Sequence, residues 1–392
     1  MWAWRQTRRF DKAFVIFSLA IILRAQNPSP WHGRVLGVGD SFPPNGPSQQ
    51  VLTYADMGPP WEHGRLTQDF ALNYLVDAAG STIYVWKRSL VSDKEHQIFE
   101  ILPLENMRAN RKTIECTAVC TACPSCRYCK GGAQMAISPD GRYVFALIER
   151  LQEHHTTFAP GVIATDDDAS FYEEIVLTYD SKADRFLPDR VSLFLGQPVA
   201  YSLLPSSEPE SFEILTFYPS IRLARYSMHG SERQNGVVLG ESSSGILVQA
   251  AWDSTNARTL LLCSNGNVIE VKGHLKDVGR IDPTPALRQM HPASLSGDGK
   301  LLFVPSGPAG TRGDRYFPPS YTDQIDVYDA TNFTKLRTLR SQRALGQVVP
   351  NRDGTRLYTP GASSVLILNS ESLWQEEVHP TDISVGRITL VP

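Results

Sequence analysis

Five cysteines that lie close together are the residues of this chain best suited to chemistry. Of six cysteines in the sequence, five fall within fourteen residues: Cys116, Cys120, Cys123, Cys126 and Cys129. Such a cluster can bind Zn²⁺ or an iron–sulfur cluster, because both favour several sulfur ligands within reach. In an oxidising compartment the same residues pair as disulfides, and exposed thiolates can also act as redox-active groups. All three interpretations stay open at this point.

More specific cysteine motifs do not fit the segment. Covalent haem attachment needs C-x-x-C-H, and Pro124, Arg127 and Lys130 stand where the histidine would be. The x3, x2 spacing at the start of the cluster matches radical-SAM enzymes, but those need an α/β barrel, and the chain shows no βα alternation. We expect disulfides and no cofactor, with zinc or an iron–sulfur cluster as the alternative. Five cysteines leave one unpaired unless Cys263 takes it.

A second group of candidate ligands follows the cysteines. His154 and His155 precede an acidic run that includes Asp166 and Asp168, and imidazole with carboxylate can form a metal site. The acidic run lacks the alternating aspartates and glycine of a known Ca²⁺ loop. These four residues are secondary metal candidates, and a solvated loop is the simpler explanation of them.

The elements that must position these residues are short strands joined by tight turns. Segments such as Ser138-Pro139-Asp140-Gly141-Arg142 and Ser296-Gly297-Asp298-Gly299-Lys300 combine an Asp-Gly turn with a following strand of β-branched and aromatic residues. A third copy surrounds Asp353-Gly354, and weaker ones surround Gly80 and Gly266. After the N-terminus no long stretch has the 3.6-residue period of a helix. The sequence therefore predicts an all-β fold.

The spacing of the turns predicts a β-propeller. Gly299 and Gly354 lie 55 positions apart, and a step of about 40 to 55 residues is typical of propeller blades. Marks near 37, 80, 141, 190, 245, 299 and 354 give seven blades, of which those at 190 and 245 are inferred from spacing alone. Six or eight blades remain alternatives, because residues 195–240 fit the repeat worst. A final strand over 383–391 is expected to close the ring against an N-terminal strand.

The turn segments resemble a known repeat. The run from Ser138 to Phe145, with the followers Asp326-Val327-Tyr328-Asp329-Ala330 and Val365-Leu366-Ile367-Leu368-Asn369, resembles the YVTN-type repeat over about residues 70–390. That resemblance implies the seven-bladed propeller of the quinoprotein amine dehydrogenase β-chain-like superfamily, whose members include cofactor-free subunits, lactonases and binding modules. The Tyr-Val-Thr-Asn signature itself is absent, and no catalytic motif of these families is present to carry over.

The N-terminus has the pattern of an export signal. Arg5, Arg8, Arg9 and Lys12 precede an apolar run from Ala13 to Leu23. Eleven apolar residues are too few to span a bilayer of about 30 Å as a helix. We expect an export signal over 1–25 and an extended Pro- and Gly-rich segment with one strand over 26–65. One propeller domain over 66–392, with a Cys-rich insert at 114–132, would follow, placing the protein in the periplasm or outside the cell.

Composition narrows the function without identifying it. A net charge of −3 and an isoelectric point near 6.3 give no electrostatic case for nucleic acid. The sequence contains no G-x-S-x-G, Walker or H-E-x-x-H motif. We expect a non-catalytic binding or scaffold propeller with a protein or small-ligand partner on one face, and no stable membrane span. The alternatives are an amine-dehydrogenase-like or lactonase-like enzyme, and a metal-bearing redox or sensing protein.

Overall fold

The structure is a computed structural model, and it describes the strands and most of the tight turns of the chain. The described residues are 34–41, 49–57, 62–66, 70–77, 81–91, 94–103, 112–115, 126–153, 170–193, 201–216, 221–230, 232–239, 247–253, 258–263, 265–283, 293–306, 310–312, 315–317, 322–361, 363–381 and 384–391. Within these ranges every regular element is a β-strand, and no helix is long and apolar enough to cross a membrane.

Thirty strands follow one another along these ranges. The first half of the described chain holds β1 (Arg34–Ser41), β2 (Gln49–Asp56), β3 (His63–Arg65), β4 (Phe70–Val76), β5 (Thr82–Val91), β6 (Lys94–Pro103), β7 (Lys112–Glu115), β8 (Cys126–Ile137), β9 (Tyr143–Glu153), β10 (Ser170–Asp180), β11 (Arg185–Leu193), β12 (Tyr201–Pro205), β13 (Ser211–Thr216), β14 (Ile221–Ser227) and β15 (Glu232–Leu239). The second half holds β16 (Leu247–Asp253), β17 (Arg258–Cys263), β18 (Asn267–Val271), β19 (Leu275–Arg280), β20 (Ser294–Leu295), β21 (Leu301–Pro305), β22 (Gly310–Arg312), β23 (Arg315–Phe317), β24 (Thr322–Asp329), β25 (Lys335–Leu345), β26 (Val349–Pro350), β27 (Arg356–Pro360), β28 (Ser364–Asn369), β29 (Gln375–Pro380) and β30 (Ser384–Val391).

The strands form seven four-stranded antiparallel sheets, which are the blades of a β-propeller. In strand order, blade 1 is β30-β1-β2-β3, blade 2 is β4-β5-β6-β7, blade 3 is β8-β9-β10-β11, and blade 4 is β12-β13-β14-β15. Blade 5 is β16-β17-β18-β19, blade 6 is β20-β21-β24-β25, and blade 7 is β26-β27-β28-β29. The short hairpin β22-β23 is inserted between the second and third strands of blade 6. The predicted fold class and the count of seven blades are confirmed.

Blade 1 joins the two ends of the described chain. The C-terminal strand β30 pairs antiparallel with β1, from Arg34 opposite Val391 to Asp40 opposite Ser384, with one shift of register after Val38. The predicted closure by the final strand is confirmed. Its core is shared with blade 7, because Val35, Met57, Tyr358, Val365 and their neighbours form one buried cluster.

The chain forms two compact units. One comprises residues 1–68, 248–256 and 279–392, and it contains blades 1, 6 and 7; the other comprises 69–247 and 257–278 and contains blades 2, 3 and 4. The second unit has an aromatic core in which Phe99 lies 5.2 Å from Tyr179 and 5.1 Å from Phe186, measured between ring centroids. Such tilted and edge-on arrangements are favoured for aromatic rings.

The turn between the first and second strands follows the predicted Asp-Gly chemistry. In blade 3 the Ser138 hydroxyl donates to Asp140 at 2.5 Å and accepts from the Tyr143 amide at 2.9 Å. Blade 6 repeats both bonds with its own serine and aspartate, at 2.6 and 2.9 Å. Gly141 has a φ of 72° and Gly299 one of 71°, which only glycine adopts without strain. The turn is therefore closed by side chains at both ends.

The turn between the third and fourth strands is equally regular. Asp180, Asp329 and Asn369 each accept two backbone amide bonds from the residues two and three positions further on. Four residues after each of them the chain enters the left-handed region, with φ values of 56° at Asp184, 58° at Phe333 and 55° at Leu373. A non-glycine residue pays roughly 1 kcal/mol for that conformation. The strain is tolerated because this residue contacts the preceding blade.

In blades 3, 4, 6 and 7 the turn between the third and fourth strands contacts the preceding blade, and the chemistry of the contact differs in each case. In blade 3 the Asp184 carboxylate pairs with Lys112 of β7, and in blade 4 His229 bonds Asp189 of β11 at 2.8 Å. In blade 6 Phe333 covers Gly279, where an added Cβ would lie 2.4 Å from the ring. Leu373 of blade 7 enters an aliphatic cluster with residues of blade 6. We call these contacts the blade latches.

Three expectations from the sequence were wrong in detail. The segment 26–65 was expected to hold one strand, but β1, β2 and β3 lie between Arg34 and Arg65, because alternating apolar residues let it complete blade 1. The mark at 190 lies inside β11, and the mark at 37 inside β1. The Gly266 turn joins the second and third strands of blade 5, not its first and second. Residues 195–240 nevertheless contain all four strands of blade 4.

Candidate functional site

Two of the five clustered cysteines lie in described backbone. Cys126 and Cys129 open β8, where they stand opposite Gln152 and Arg150 of β9, with a register shift between Cys126 and Tyr128. The two cysteines therefore oppose residues that are two apart. The remaining cluster members, Cys116, Cys120 and Cys123, lie outside the described residues, as do His154, His155, Asp166 and Asp168.

The strand register relates the two groups of sequence candidates to one sheet. β8 begins at Cys126, and β9 ends at Glu153, the residue directly before His154 in the chain. Cys126 is paired with Gln152, so the start of β8 and the end of β9 lie at the same end of this strand pair. In the described part of the chain, no group of three or more His, Cys, Asp and Glu residues is arranged to hold a metal ion. The metal and disulfide hypotheses thus stay predictions.

The sixth cysteine has a structural role. Cys263 ends β17, is fully buried, and is a free thiol packed among Leu215, Leu261 and Ile269. Burial raises the pKa of its thiol to about 12, with a smaller contribution from the charge of Asp277. A thiol that stays protonated at neutral pH is a poor nucleophile. The suggestion that Cys263 pairs with the odd cysteine of the cluster is therefore not what the structure shows.

Several ion pairs tie strands of one blade together. Arg142 donates to Asp180 at 2.8 Å in blade 3, and these hydrogen bonds lower the pKa of Asp180 to about 2. Arg258 donates to Glu270 at 2.9 Å in blade 5. Both pairs connect the second strand region to the third. They stabilise blades and leave little carboxylate free for acid–base work.

Glu213 is the most deeply placed of these carboxylates. It is 2% exposed on β13, and its pKa is raised mainly because it is buried. The hydrogen bonds from Arg225, at 2.8 and 3.1 Å, act on the pKa in the opposite direction. Arg225 also donates to Glu208 at 3.2 Å. A Cβ added to Gly273 would lie only 2.5 Å from the Nη2 atom of Arg225. A carboxylate with a raised pKa can mark a catalytic site, but here it belongs to a filled ion-pair network under a turn.

Blade 7 holds a second network, built by a bulge. The register of β28 and β29 shifts after Ile367, so that Glu376 and Glu377 both reach Arg356, each at 3.1 Å. His379 bonds Glu377 at 3.1 Å, and this bond is the main reason that the pKa of Glu377 is lowered. His379 is buried. The arrangement fixes the fourth strand of the blade.

Trp374 stands apart from these networks because its side chain is exposed. It is 73% exposed at the end of the turn between β28 and β29. Its backbone is fixed nonetheless: its amide donates to Ser372 at 3.2 Å, and its carbonyl accepts from the Asn369 amide at 2.9 Å. The residue before it, Leu373, is anchored in the core. The turn therefore presents an indole ring from a rigid base.

Equivalent turns show that nothing in the turn requires an exposed aromatic ring. The position of Trp374 is occupied by Thr334 in blade 6 and Arg185 in blade 3, and both are exposed. The same backbone bond, from the amide of the capping residue to the carbonyl at this position, is 3.0 Å long for Thr334. A polar residue thus serves the turn equally well. The tryptophan has to be explained by something outside the turn.

In blade 6, strand β25 carries the only other large apolar side chain that is exposed among the described residues. Leu336 is 48% exposed, at a register shift between Val327 and Tyr328 of the partner strand, and a bulge of this kind re-aims a side chain. Further along β25, Arg340 and Arg343 are exposed, and Arg343 donates to Gln375 at 2.6 Å. Gln375 follows Trp374 directly. We call Arg343, Trp374 and Gln375 the β25–Trp374 surface.

The sequence analysis missed this surface, although two signals were present. Four cations fall within nine residues of β25, namely Lys335, Arg337, Arg340 and Arg343. Alignment of the three similar turns would also have shown a tryptophan where the other two have polar residues. Neither signal reveals exposure, which depends on the folded blades.

Comparisons with known proteins identify the fold but no family. The chain matches no protein family and no curated protein. Among solved structures it is similar to a putative 6-phosphogluconolactonase from Bacteroides uniformis, with a TM-score of 0.54, 13% identity, and coverage of 92% of this chain and 100% of that one. It is also similar to AztD from Citrobacter koseri, with a TM-score of 0.50, 9% identity, and coverage of 92% and 98%.

A third similar structure is an acylaminoacyl peptidase from Pyrococcus horikoshii, with a TM-score of 0.51 and 11% identity. The match covers 90% of this chain, which spans about half, 51%, of the peptidase. At such identities these likenesses show a shared propeller fold alone, because one fold hosts many unrelated functions.

Proposed function

We propose that the protein is an exported β-propeller that binds a protein partner through the β25–Trp374 surface and acts as a binding or scaffold protein. The observation that carries this proposal is Trp374, 73% exposed on a turn whose backbone is fixed by hydrogen bonds and a buried leucine. Tryptophan is among the residues most enriched at the energetic centres of interfaces. A ring that is already held in place loses little conformational entropy on binding.

Site-specific photo-crosslinking tests where a partner binds. A photo-reactive phenylalanine analogue replaces Trp374 in one preparation and Arg185, the equivalent exposed residue of blade 3, in the control. A partner protein crosslinked from position 374 and not from position 185 supports the proposal. Equal crosslinking from both positions, or crosslinking from 185 alone, contradicts it.

The partner so identified is then purified and titrated against variants. Trp374→Thr introduces the residue that blade 6 carries at this position, so that the turn is preserved. We expect it to weaken binding roughly 30-fold, which corresponds to the loss of a hot-spot side chain of about 2 kcal/mol. Arg185→Thr should leave the affinity unchanged. Equal affinities of Trp374→Thr and the unchanged protein would refute the assignment.

Export is a separate part of the proposal and rests on the N-terminal pattern of cations followed by the apolar run Ala13–Leu23. The mature protein is expected to begin after Ala25, which mass spectrometry of the exported chain would show. In an oxidising compartment the cysteine cluster should form disulfides. Free-thiol counting and metal analysis on the exported protein distinguish the two hypotheses. Zinc or iron near one per chain would support a metal site and contradict the disulfides.

A further inference from the structure

We infer that Arg337 binds a carboxylate of the partner, the side chain of an aspartate or glutamate, beside the β25–Trp374 surface. This inference rests on the proposed function and specifies the chemistry of its partner. Three observations carry it: the guanidinium of Arg337 is unsatisfied, a bulge turns it away from the acids of its own blade, and it lies on the face of β25 that packs against the blade of Trp374.

Arg337 differs from the arginines that tie strands together, because no carboxylate accompanies it. Its Nε atom is buried and has no hydrogen-bond partner, and no ion pair joins its guanidinium to an acid in the described part of the chain. In contrast, carboxylates pair with Arg34, Arg142, Arg225, Arg258 and Arg356. A buried donor without an acceptor carries the full cost of its desolvation, and an acceptor supplied by a partner would remove that cost.

A bulge in β25 separates Arg337 from the other cation at the start of the strand. Val327 stands opposite Arg337 and Tyr328 stands opposite Lys335, so Leu336 is the extra residue of the bulge. Because Val327 and Tyr328 are adjacent, the residues opposite them lie on different faces of the sheet. A regular strand would place Lys335 and Arg337 on the same face, and the bulge therefore re-aims Arg337.

The two faces of β25 differ in charge. Lys335 is paired with Asp326 at 3.0 Å, so its charge is balanced on its own face. On the face of Arg337 the neighbours are apolar, since Val327 opposite it and Leu339 two residues further along β25 are both buried. Arg337 thus adds an unbalanced positive charge at the margin of an apolar cluster.

That apolar cluster extends to the turn that carries Trp374. Val327 and Leu339 of blade 6 pack in it with Leu373 of blade 7, the residue directly before Trp374. Arg337 and Trp374 therefore flank one cluster, the first from blade 6 and the second from blade 7. A partner segment that covers the indole ring can bring an acidic side chain to Arg337.

A simpler role for Arg337 is to cover the apolar cluster with its aliphatic stem while its charge stays in water. Coverage explains the stem but not the buried Nε atom, because a methionine would cover the same surface without an unsatisfied donor. A carboxylate satisfies both features, since its two oxygens accept from the Nε and Nη atoms of one guanidinium. Glu376 and Glu377 of blade 7 are already engaged, each at 3.1 Å from Arg356.

Removal of the guanidinium separates a binding role from a structural one. Arg337→Met keeps an unbranched apolar stem and removes the unsatisfied donor. We expect its midpoint of urea unfolding to equal or exceed that of the unchanged protein, since replacing a buried charge by an apolar side chain is often neutral or stabilising. A lower midpoint would show that Arg337 is needed for stability and would overturn the inference. The control is Arg340→Met, which changes an exposed arginine on the opposite face of β25.

Acetate is a carboxylate probe that needs no partner. Sodium acetate should raise the midpoint of thermal unfolding of the unchanged protein above its value in sodium chloride of the same ionic strength, because a ligand that binds only the folded state stabilises it. This excess should vanish in Arg337→Met and persist in Arg340→Met. An excess that is equal in all three proteins, or absent from the unchanged protein, would overturn the inference.

The partner found by crosslinking from position 374 tests the assignment directly. Arg337→Met should weaken its binding at least tenfold, and Arg340→Met should not. Each aspartate and glutamate of the crosslinked partner segment is then changed to its amide. We expect one of these changes to weaken binding to the unchanged protein at least tenfold but to have little further effect on Arg337→Met, because the two side chains form one pair. Additive losses at every acidic position would overturn the inference.

The outcome can be distinguished from a failure of the proposed function. If Trp374→Thr weakens binding of the crosslinked partner while Arg337→Met does not, the partner binds at Trp374 without a carboxylate on Arg337, and the inference alone falls. If neither variant affects that partner, both fall. A loss of partner binding in both variants, with one acidic residue of the partner coupled to Arg337, supports both.

Discussion

Replacing Asp180 by Asn should destabilise the protein by an amount that depends on pH. The Asp180 carboxylate accepts from Arg142 at 2.8 Å and from the amides of Lys182 and Ala183 at 2.9 and 3.1 Å. Asparagine keeps an oxygen for the two amides, as Asn369 shows in the equivalent turn of blade 7. What the substitution removes is therefore the charge that pairs with Arg142, together with the Oδ2 atom that accepts the 2.8 Å bond.

The size of the effect follows from the pKa. A carboxyl group whose pKa falls from 3.8 to about 2 on folding contributes at most about 2.5 kcal/mol to the free energy of unfolding at neutral pH. Arg142 is 42% exposed, so that solvent screens the pair, and we expect about 1–2 kcal/mol. Because the folded-state pKa is the lower one, this stabilisation is present above pH 3.8. It falls to about half by pH 3 and is nearly lost at pH 2.

Urea unfolding, followed by circular dichroism at several pH values between 7 and 3, measures the difference between Asp180→Asn and the unchanged protein. The matched control is Asp329→Asn, which alters the same capping position in blade 6 and should cost less than about 0.5 kcal/mol at every pH. A difference for Asp180→Asn that stays constant from pH 7 to pH 3 would refute the reasoning. It would mean that the lost stability comes from packing and not from the ion pair.

Three further predictions concern side chains that fit closely. Gly297→Ala should lower the free energy of unfolding in urea by about 2 kcal/mol, because its Cβ would lie 2.9 Å from a backbone atom of blade 7. Gly141→Ala is the control: it has open space around the Cβ and a φ of 72°, and it should cost about 1 kcal/mol. Equal costs for the two variants would contradict the contact at Gly297. Cys263 should resist iodoacetamide at pH 8 until the protein is unfolded, since its thiol pKa is raised to about 12, and peptide mapping that finds Cys263 itself labelled in the native protein would disprove its burial. Gly279→Ala should destabilise by about 2 kcal/mol through its clash with Phe333, and Phe333→Leu should relieve part of that cost; additive losses in the double variant would show that the two sites do not couple.

The sequence predicted those parts of the fold that local chemistry determines. The turns at Asp140-Gly141 and Asp298-Gly299 could be predicted, because a positive φ needs glycine and the aspartate closes the turn. Blade 4 has no such signal, since its first turn, from Ser206 to Ser211, runs without glycine. Extrapolating a fixed step therefore misplaced the mark at 190, although the number of blades came out right.

The candidate surface could not be predicted because exposure is a property of packed blades. Trp374 and Leu373 are adjacent apolar residues in the sequence, yet one is 73% exposed and the other 7%. The left-handed conformation of Leu373 turns the chain so that the leucine enters the core and the tryptophan leaves it. Cysteine spacing, in contrast, is visible in the sequence, but its chemistry depends on side chains outside the described residues.

The blade latches bear on how the chain assembles. The same backbone position carries an aspartate that needs a lysine, a phenylalanine that needs a glycine, and a leucine that needs an aliphatic pocket. An aspartate placed against the aliphatic cluster of blade 7 would bury an unpaired charge, and a phenylalanine placed against Lys112 would remove its ion-pair partner. Near-identical sheets joined in tandem are prone to dock out of turn during folding. Here blades 3, 4, 6 and 7 each make a different contact with the preceding blade, so the order of these blades is encoded at their junctions as well as by chain connectivity.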